Sequence, residues 1–303
     1  MAEAFVKVVE PGLYMSIQDL GRPGYQHMGV PVSGAMDRYA LVMGNRLLNN
    51  REDSAAIEVT FGGAEFKFLR DGLICVTGAN LNGYLGGEPI PMWETVSVTK
   101  GQKLVFERPK TGVRAYVCVL GGIQSSVYLG SQSCYEKAGL GRRLEAGDQL
   151  LSEYEGVHMT PGNRLSPELL PTYTQEVTLR VVPSHLEDRF TEESVRYFYR
   201  TNYTMKQGDR MGCRLESDQP LNHHTSADII SSVTPFGTIQ VASNGQPMIL
   251  LADRQTTGGY TTLGTIVTID HWKIAQLPPG GKVNFKRVDL KEAEEWLRHW
   301  REA

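Results

Sequence analysis

Hydrophobic residues fall along the chain in short runs, several alternating with polar ones and most bounded by glycine: "AIEVTF", "EFKFL", "LICVTG", "RAYVCVLGG", "VTLRVV", "GTIQVA", "PMILLA", "TIVTI" and "KVNFKRV". Runs of this length and period predict β-strands, and 32 glycines and 15 prolines supply the turns between them. Helical spacing is confined to three segments. Ser33 is placed to cap "GAMDRYALVMGNRLLNN", where Met36, Ala40, Met43 and Leu47 recur on one face. Thr191 is placed to cap "EESVRYFYR", with two glutamates in the first turn. Asp289 and Glu292 form a capping-box pattern ahead of Leu290, Ala293, Leu297 and Trp300, which share a face. Many short strands with few helices predict a mainly β fold of closed or strongly coiled sheets, not a doubly wound one.

The stretch "GVHMTPGNRLSPELLPTYT" is polar and proline-rich, which predicts a linker at 161–175 between a β-rich half (1–160) and a second half (176–303) ending in a helix. An internal echo supports two halves. "GQKLVFER" (Gly101 to Arg108) and "GGKVNFKR" (Gly280 to Arg287) share residues at the same offsets, each predicting a glycine turn followed by an alternating strand.

With 303 residues the chain is long enough for two ordinary domains. No apolar run approaches the roughly 20 residues of a membrane helix, and "MAEAFVKVVEPG" lacks the pattern of an export leader. The cytoplasm is therefore expected. A formal net charge of −3 without a long basic cluster argues against nucleic acid and leaves small molecules or proteins as partners. The four cysteines are scattered, predicting buried thiols and not a disulfide or metal framework.

Several familiar chemistries find no support. There is no phosphate loop, since "GGKVNF" lacks both the glycine spacing and the following hydroxyl, and no dinucleotide fingerprint. His223 and His224 are adjacent and would point to opposite faces of a strand, so they are expected in a solvent-facing loop and no metal site is expected. Lys206 beside Met205 lacks the second methionine of a biotin-attachment site, and Ser243 and Asn244 read as turn residues. Three clusters remain, in which glycine lies beside charged or amide groups: Gln18, Asp19, Arg22 and Asp37; Asp209, Arg210 and Arg214; and "DRQTTGGY", Asp253 to Tyr260. Such clusters suit close backbone approach to a ligand, and equally suit tight turns with paired surface charges.

Taken in order, "GLYMSIQDLGRPGYQHMGVPVSGAMD", "RAYVCVLGGI", "DRMGCRL", "GTIQVASNGQPMILLADRQTTGGY" and "IAQLPPGGKVNF" resemble the family of the 5-oxoprolinase C component, or KipA. The same unit forms the carboxyltransferase A and B subdomains of urea carboxylase (urea amidolyase). The resemblance runs from about Val8 to Val288. It implies two cyclophilin-like β-barrel subdomains, a KipI-like B-type partner and an A-type partner. The implied reaction is ATP-dependent opening of 5-oxoproline to glutamate, with ATP shared among the partners. Within that reading Asp253 orients or accepts a proton, and Arg254 and Arg210 stabilise negative charge. Gln255, Thr256, Thr257, Gly258, Gly259 and Tyr260 bind substrate, with Gln18, Asp19 and Asp37. A urea-type carboxyltransferase component, using biotin carried on another chain, is the alternative. A regulatory protein antagonising a KipI-like kinase inhibitor is a second one. The chain departs from the family pattern at Ser184, Gly208, Ala242 and Thr261, which leaves the fold secure and the substrate open.

Overall fold

In a computed structural model, which describes residues 2–153 and 160–302, the alternating runs become strands grouped in two compact units. The first comprises Met1–Arg22 with Ser33–Tyr173, and the second Pro23–Val32 with Thr174–Ala303. Residues 154–159, at the end of the expected N-terminal half, lie outside the described residues. The segment expected to be a linker bonds within the first unit: Asn163 Nδ2 donates to Leu47 O at 2.7 Å, and Leu165 N to Trp93 O at 3.0 Å.

The first unit holds β1 (Glu3–Pro11), β2 (Tyr14–Gln18), α1 (Arg38–Leu47), β3 (Ala56–Thr60), β4 (Ala64–Phe68), β5 (Gly72–Asn80), β6 (Gly83–Leu85), β7 (Glu88–Pro89), β8 (Thr95–Val98), β9 (Lys103–Phe106), β10 (Thr111–Val119), β11 (Ile123–Gln124) and β12 (Gln149–Ser152). They form two sheets, ordered β11-β12-β1-β4-β9-β6-β7 and β2-β3-β10-β5-β8. Phe5, Phe66 and Phe106 of one sheet and Ile57, Ile74 and Val117 of the other share one core. Strand β5 reads as a continuous apolar run because both its faces are covered. Ile74 and Val76 enter that core, while Cys75 lies under α1 with Leu41, Met43 and Cys118. Gly44 lets α1 approach closely, since a Cβ there would lie 2.6 Å from Cys118 Sγ.

Helix α1 begins later than its sequence pattern suggests. Ser33 has φ +58° and does not cap it; Asp37 does, accepting from Ala40 N at 3.0 Å. The other expected caps hold. Thr191 accepts from Ser194 N at 3.2 Å, and Asp289 and Glu292 bond reciprocally at 3.0 and 2.8 Å.

The second unit holds β13 (Glu176–Pro183), α2 (Glu192–Phe198), β14 (Tyr203–Gly208), β15 (Gly212–Glu216), β16 (Asp228–Val233), β17 (Thr238–Val241), β18 (Pro247–Leu250), β19 (Thr257–Ile266), α3 (His271–Ala275), β20 (Lys282–Arg287) and α4 (Leu290–Glu302). The order β13-β20-β14-β15-β18-β17-β19 is closed by pairing of β19 with β13, making a seven-stranded barrel with β16 appended to β19. The mainly β architecture is thus as expected. Its ring is closed in the second unit, whereas the first is two facing sheets. Alternation turns Val177, Leu179 and Val181 inward with Val283, Phe285, Tyr203 and Ile249. The echoed segments do occupy matching elements: Gly101 (φ +90°) leads into β9 and Gly280 (φ +85°) into β20. On α4, Leu290 is exposed, and Trp296 instead takes the Arg180 guanidinium over its ring at 4.4 Å.

Candidate functional site

Between β14 and β15 the chain reverses over Asp209–Gly212. Asp209 makes this turn, its Oδ1 accepting from Met211 N at 2.7 Å and Gly212 N at 3.1 Å. The segment leaving β18 runs alongside: Leu251 N donates to Met211 O at 2.9 Å and Asp253 N to Arg210 O at 2.8 Å. That register sets Arg210 and Asp253 side by side as a bidentate pair, Nε to Oδ2 at 2.9 Å and Nη2 to Oδ1 at 3.0 Å, both side chains 9% exposed. The geometry is that of a clamp between two loops. It differs from the expected roles, in which Asp253 handles a proton and Arg210 meets developing charge.

Arg254 also serves its own loop. Its Nε donates to Thr234 O at 2.6 Å, its Nη1 reaches Leu251 O at 3.2 Å, and its guanidinium lies 5.9 Å from the Phe236 ring. Thr234 completes the anchorage, donating Oγ1 to Gln255 O at 2.6 Å and N to Thr256 O at 3.1 Å. Thr257, Gly258, Gly259 and Tyr260, expected to bind substrate, are the first residues of β19. Thr257 pairs with Val233, Gly258 with Ser232, and Tyr260 with Asp228. Thr257, Gly258 and Tyr260 are thus held along one edge by pairing with β16, with a register irregularity between them.

A cavity of about 370 Å³ opens beside the clamp. Its lining includes Gln207, Gly208, Asp209, Arg214, Met248, Leu250 and Gln255. The second and third clusters therefore meet here, through Asp209, Arg214 and Gln255, while Arg210 and Asp253 do not line it. Cross-strand register explains the floor: Gln207 opposes Arg214, and Arg214 opposes Met248, so all three share the outer face of the barrel. Cys213, Leu215 and Ile249 alternate with them into the core. Arg214 is exposed, and its side chain makes no hydrogen bond or ion pair with any described residue. An unspent guanidinium beside a cavity is suited to a carboxylate or phosphate, which it can hold through two parallel bonds. Arg214 has no role in the sequence-based assignment; its alternation with Cys213 and Leu215 is the signal that separates it from Arg210.

The first cluster is differently occupied. Asp19 accepts from Ser131 Oγ (2.7 Å), Ser133 Oγ (2.5 Å), Gly21 N (2.7 Å) and Gln132 N (2.7 Å). It borders a cavity of about 280 Å³ with its carboxylate already engaged. Arg22 is buried and donates to the carbonyls of Ser133 and Tyr128. Gln18 Nε2 donates to Ser16 Oγ at 2.9 Å. Asp37 is engaged by another partner, its Oδ2 accepting from Tyr173 Oη at 3.0 Å. Burial, and then Asp37, push the Tyr173 hydroxyl well above its ordinary value, so it keeps the proton it donates. A larger cavity, about 690 Å³, is bordered by Arg142 and Asp148, which pair with each other at 2.7 Å.

The departures from the family pattern are accommodated locally. Ser184 Oγ bonds Thr262 Oγ1 at 2.9 Å, Thr261 Oγ1 donates to Ala227 O at 2.8 Å, and Gly208 borders the 370 Å³ cavity. His223 is half-buried, its ring 4.4 Å from that of Phe190, and is not the solvent-facing residue expected; His224 is exposed. All four cysteines are buried and unbridged, and burial pushes the Cys118 thiol up to about 12.

A family model described as carboxyltransferase domain, subdomain A and B, matches residues 28–287. The chain is 36% identical over 288 residues to the C component of 5-oxoprolinase from Haemophilus influenzae, covering 93% of this chain and 91% of that one. It is 33% identical over 302 residues to the C component of 5-oxoprolinase from Escherichia coli, covering 95% and 93%. The crystal structure of K. lactis urea amidolyase superposes with a TM-score of 0.90 at 27% identity, covering 98% of this chain. This chain spans only 19% of that enzyme. Among the described residues, no helix is long and apolar enough to cross a membrane.

Proposed function

The chain belongs to the family of the carboxyltransferase domain, subdomains A and B, and from that premise we propose that it is one component of an ATP-dependent 5-oxoprolinase. Its partners in this reading are a KipI-like B-type component and an A-type component, and the assembly opens 5-oxo-L-proline to L-glutamate. Support comes first from the relatives named as the C component of 5-oxoprolinase, which correspond over nearly their whole length. The observation that carries the reading is the unspent Arg214 guanidinium beside a 370 Å³ cavity.

In this reading Arg214 holds the substrate carboxylate, and Asp209, whose Oδ1 is fixed by two amides, presents its other oxygen as an acceptor. The Arg210–Asp253 clamp keeps the two loops that carry Asp209 and Gln255 in register. ATP fits this chain poorly. Lys282, in the segment nearest a phosphate loop, bonds Thr204 Oγ1 at 2.7 Å, and ATP is therefore assigned to a partner or to a shared surface. The test is 5-oxoproline-dependent ATP hydrolysis by the chain mixed with its B- and A-type partners. Arg214→Ala is expected to lower turnover about 10- to 100-fold, the worth of a charge-assisted bond, while the complex still assembles. No 5-oxoproline-dependent hydrolysis by the wild-type mixture would end this reading.

The likeness to urea amidolyase favours a second reading, a component of a urea-type carboxyltransferase. The same cavity would then receive the ureido ring of biotin carried on another chain. Copurification of a biotinylated protein, with biotin-dependent carboxylation, distinguishes it from the first.

A further inference from the structure

One more group on this barrel face is unspent, and it is buried. Gln240, in β17, is 1% exposed, and among the described residues neither its Oε1 nor its Nε2 has a hydrogen-bond partner. A carboxamide with both ends unsatisfied opposes folding, so a purely structural role would be served better by an apolar residue. Its position is set by register. Gln240 opposes Met248 on one side and Thr262 on the other, and Met248 opposes Arg214. Arg214, Met248, Gln240 and Thr262 thus form one row across four adjacent strands on the cavity's face of the sheet. At about 4.8 Å per strand, Gln240 stands roughly 10 Å from Arg214 along the row.

Its polar neighbours are bonded elsewhere and not to it. Thr262 Oγ1 is taken by Ser184 at 2.9 Å, and Thr234 spends its hydroxyl and amide on the carbonyls of Gln255 and Thr256. Gly258 passes so close that a Cβ there would lie 2.3 Å from Gln240 Nε2. Glycine at this position leaves room for the carboxamide.

We propose that Gln240 is a specificity-determining residue of the cavity, its carboxamide pairing with a cis-amide of the substrate. The inference deepens the reading of this cavity as the substrate site and rests on it. Oε1 accepts from the ligand N–H while Nε2 donates to the ligand C=O. Lactams and cyclic ureides hold those two groups on one edge, whereas an ordinary trans-amide sets them on opposite sides. Gln240 does not itself line the open cavity, but its cross-strand partner Met248, half-buried and unbranched, does, and in this proposal Met248 turns aside as ligand enters. Arg214 takes the carboxylate at the other end. Hydrolysis of the lactam breaks the ring C–N bond and adds one water, leaving a carboxylate on carbon and an ammonium on nitrogen. The paired edge is then gone, so Gln240 favours substrate over product.

The test compares the full chain with Gln240→Met and Arg214→Met by calorimetry and thermal melting. The probes are 5-oxo-L-proline, 2-imidazolidinone and L-proline. Wild type is expected to bind the first two and not L-proline. Q240M is expected to melt at or above the wild-type temperature and to bind both amides at least tenfold more weakly, because a site built to hydrogen-bond penalises a missing partner. R214M should weaken 5-oxoproline alone. Should Q240M fail to fold, Gln240→Leu, which removes both donor and acceptor, is judged by the same affinity ratio. Binding of 5-oxoproline unchanged in the variant overturns the role of Gln240 and leaves the oxoprolinase reading standing. Wild-type binding of 2-imidazolidinone without 5-oxoproline ends the oxoprolinase reading and leaves Gln240 standing. Binding of neither amide overturns the inference.

Discussion

The polar cluster of the first unit and the cavity of the second are alike in composition and differ in how their charged groups are bonded. Both set carboxylate, guanidinium and amide groups among glycines. Around Asp19 the donors of Ser131, Ser133, Gly21 and Gln132 converge on one carboxylate, and Arg22 is bonded to carbonyls. In the second unit the Arg210–Asp253 pair is satisfied in the same way, but beside it Arg214 and Gln240 keep their hydrogen-bonding capacity. Charged residues near glycine therefore do not by themselves mark a site. Capacity left unused next to an opening is what singles out Arg214 as the candidate, since a buried amide oxygen without a partner, Gln18 Oε1, occurs in the first cluster as well.

The comparison can be broken at several points. Asp253→Ala leaves Arg210 buried without its carboxylate and is expected to cost about 3–5 kcal/mol, read from denaturant midpoints. A loss below about 1 kcal/mol would show that the pair is not a clamp. Asp19→Ala strands several buried donors and is expected to cost about 2–3 kcal/mol while 5-oxoproline affinity stays at the wild-type value. A selective loss of affinity would instead move the site to the first unit.

A smaller effect, confined to acid, is expected at Asp270. Burial raises its carboxyl pKa, but hydrogen bonds from Arg180 and Lys273 lower it by more, so the net shift is downward. Its contribution is complete above the unfolded value of about 3.9 and is lost as pH falls through the lower folded value. Asp270→Asn should flatten that acid limb in pH-dependent melting. Arg214→Ala is expected to change stability by no more than about 0.5 kcal/mol, since it breaks no bond within the described residues. A large loss would mean that Arg214 supports the fold, not a ligand.

Much of the scaffold was legible because alternation and capping are local. The strands in "VTLRVV" and "KVNFKRV", the Thr191 cap and the Asp289–Glu292 box all follow from neighbours a few residues apart. Helix α1 was misplaced at its start because Ser33 and Asp37 are both good caps, and only the fold puts Ser33 at φ +58°. The candidate site was half legible. Asp209 and Gln255 line the cavity, but Arg210 and Arg214 are equivalent by residue type. They differ in that Arg214 stands within a strand, outward between Cys213 and Leu215, while Arg210 stands at a turn facing Asp253. Gln240 lies between Ile239 and Val241, so its outward face was readable, but not that Gly258 would cover it.

Closure of the second barrel carries a consequence for how the protein is made. Its first strand, β13, is hydrogen-bonded in parallel to its last, β20, from Glu176 opposite Lys282 to Val181 opposite Arg287. These partners are about a hundred residues apart in the chain. A nascent chain emerging from the ribosome carries β14, β15 and their turn long before β20 exists, and until then β13 lacks this neighbour. Contacts of such long range are slow to form and leave strand edges open while they wait. The barrel can therefore close only after β20 has emerged, and a chain cut short before Lys282 would expose unpaired edges that other chains can join.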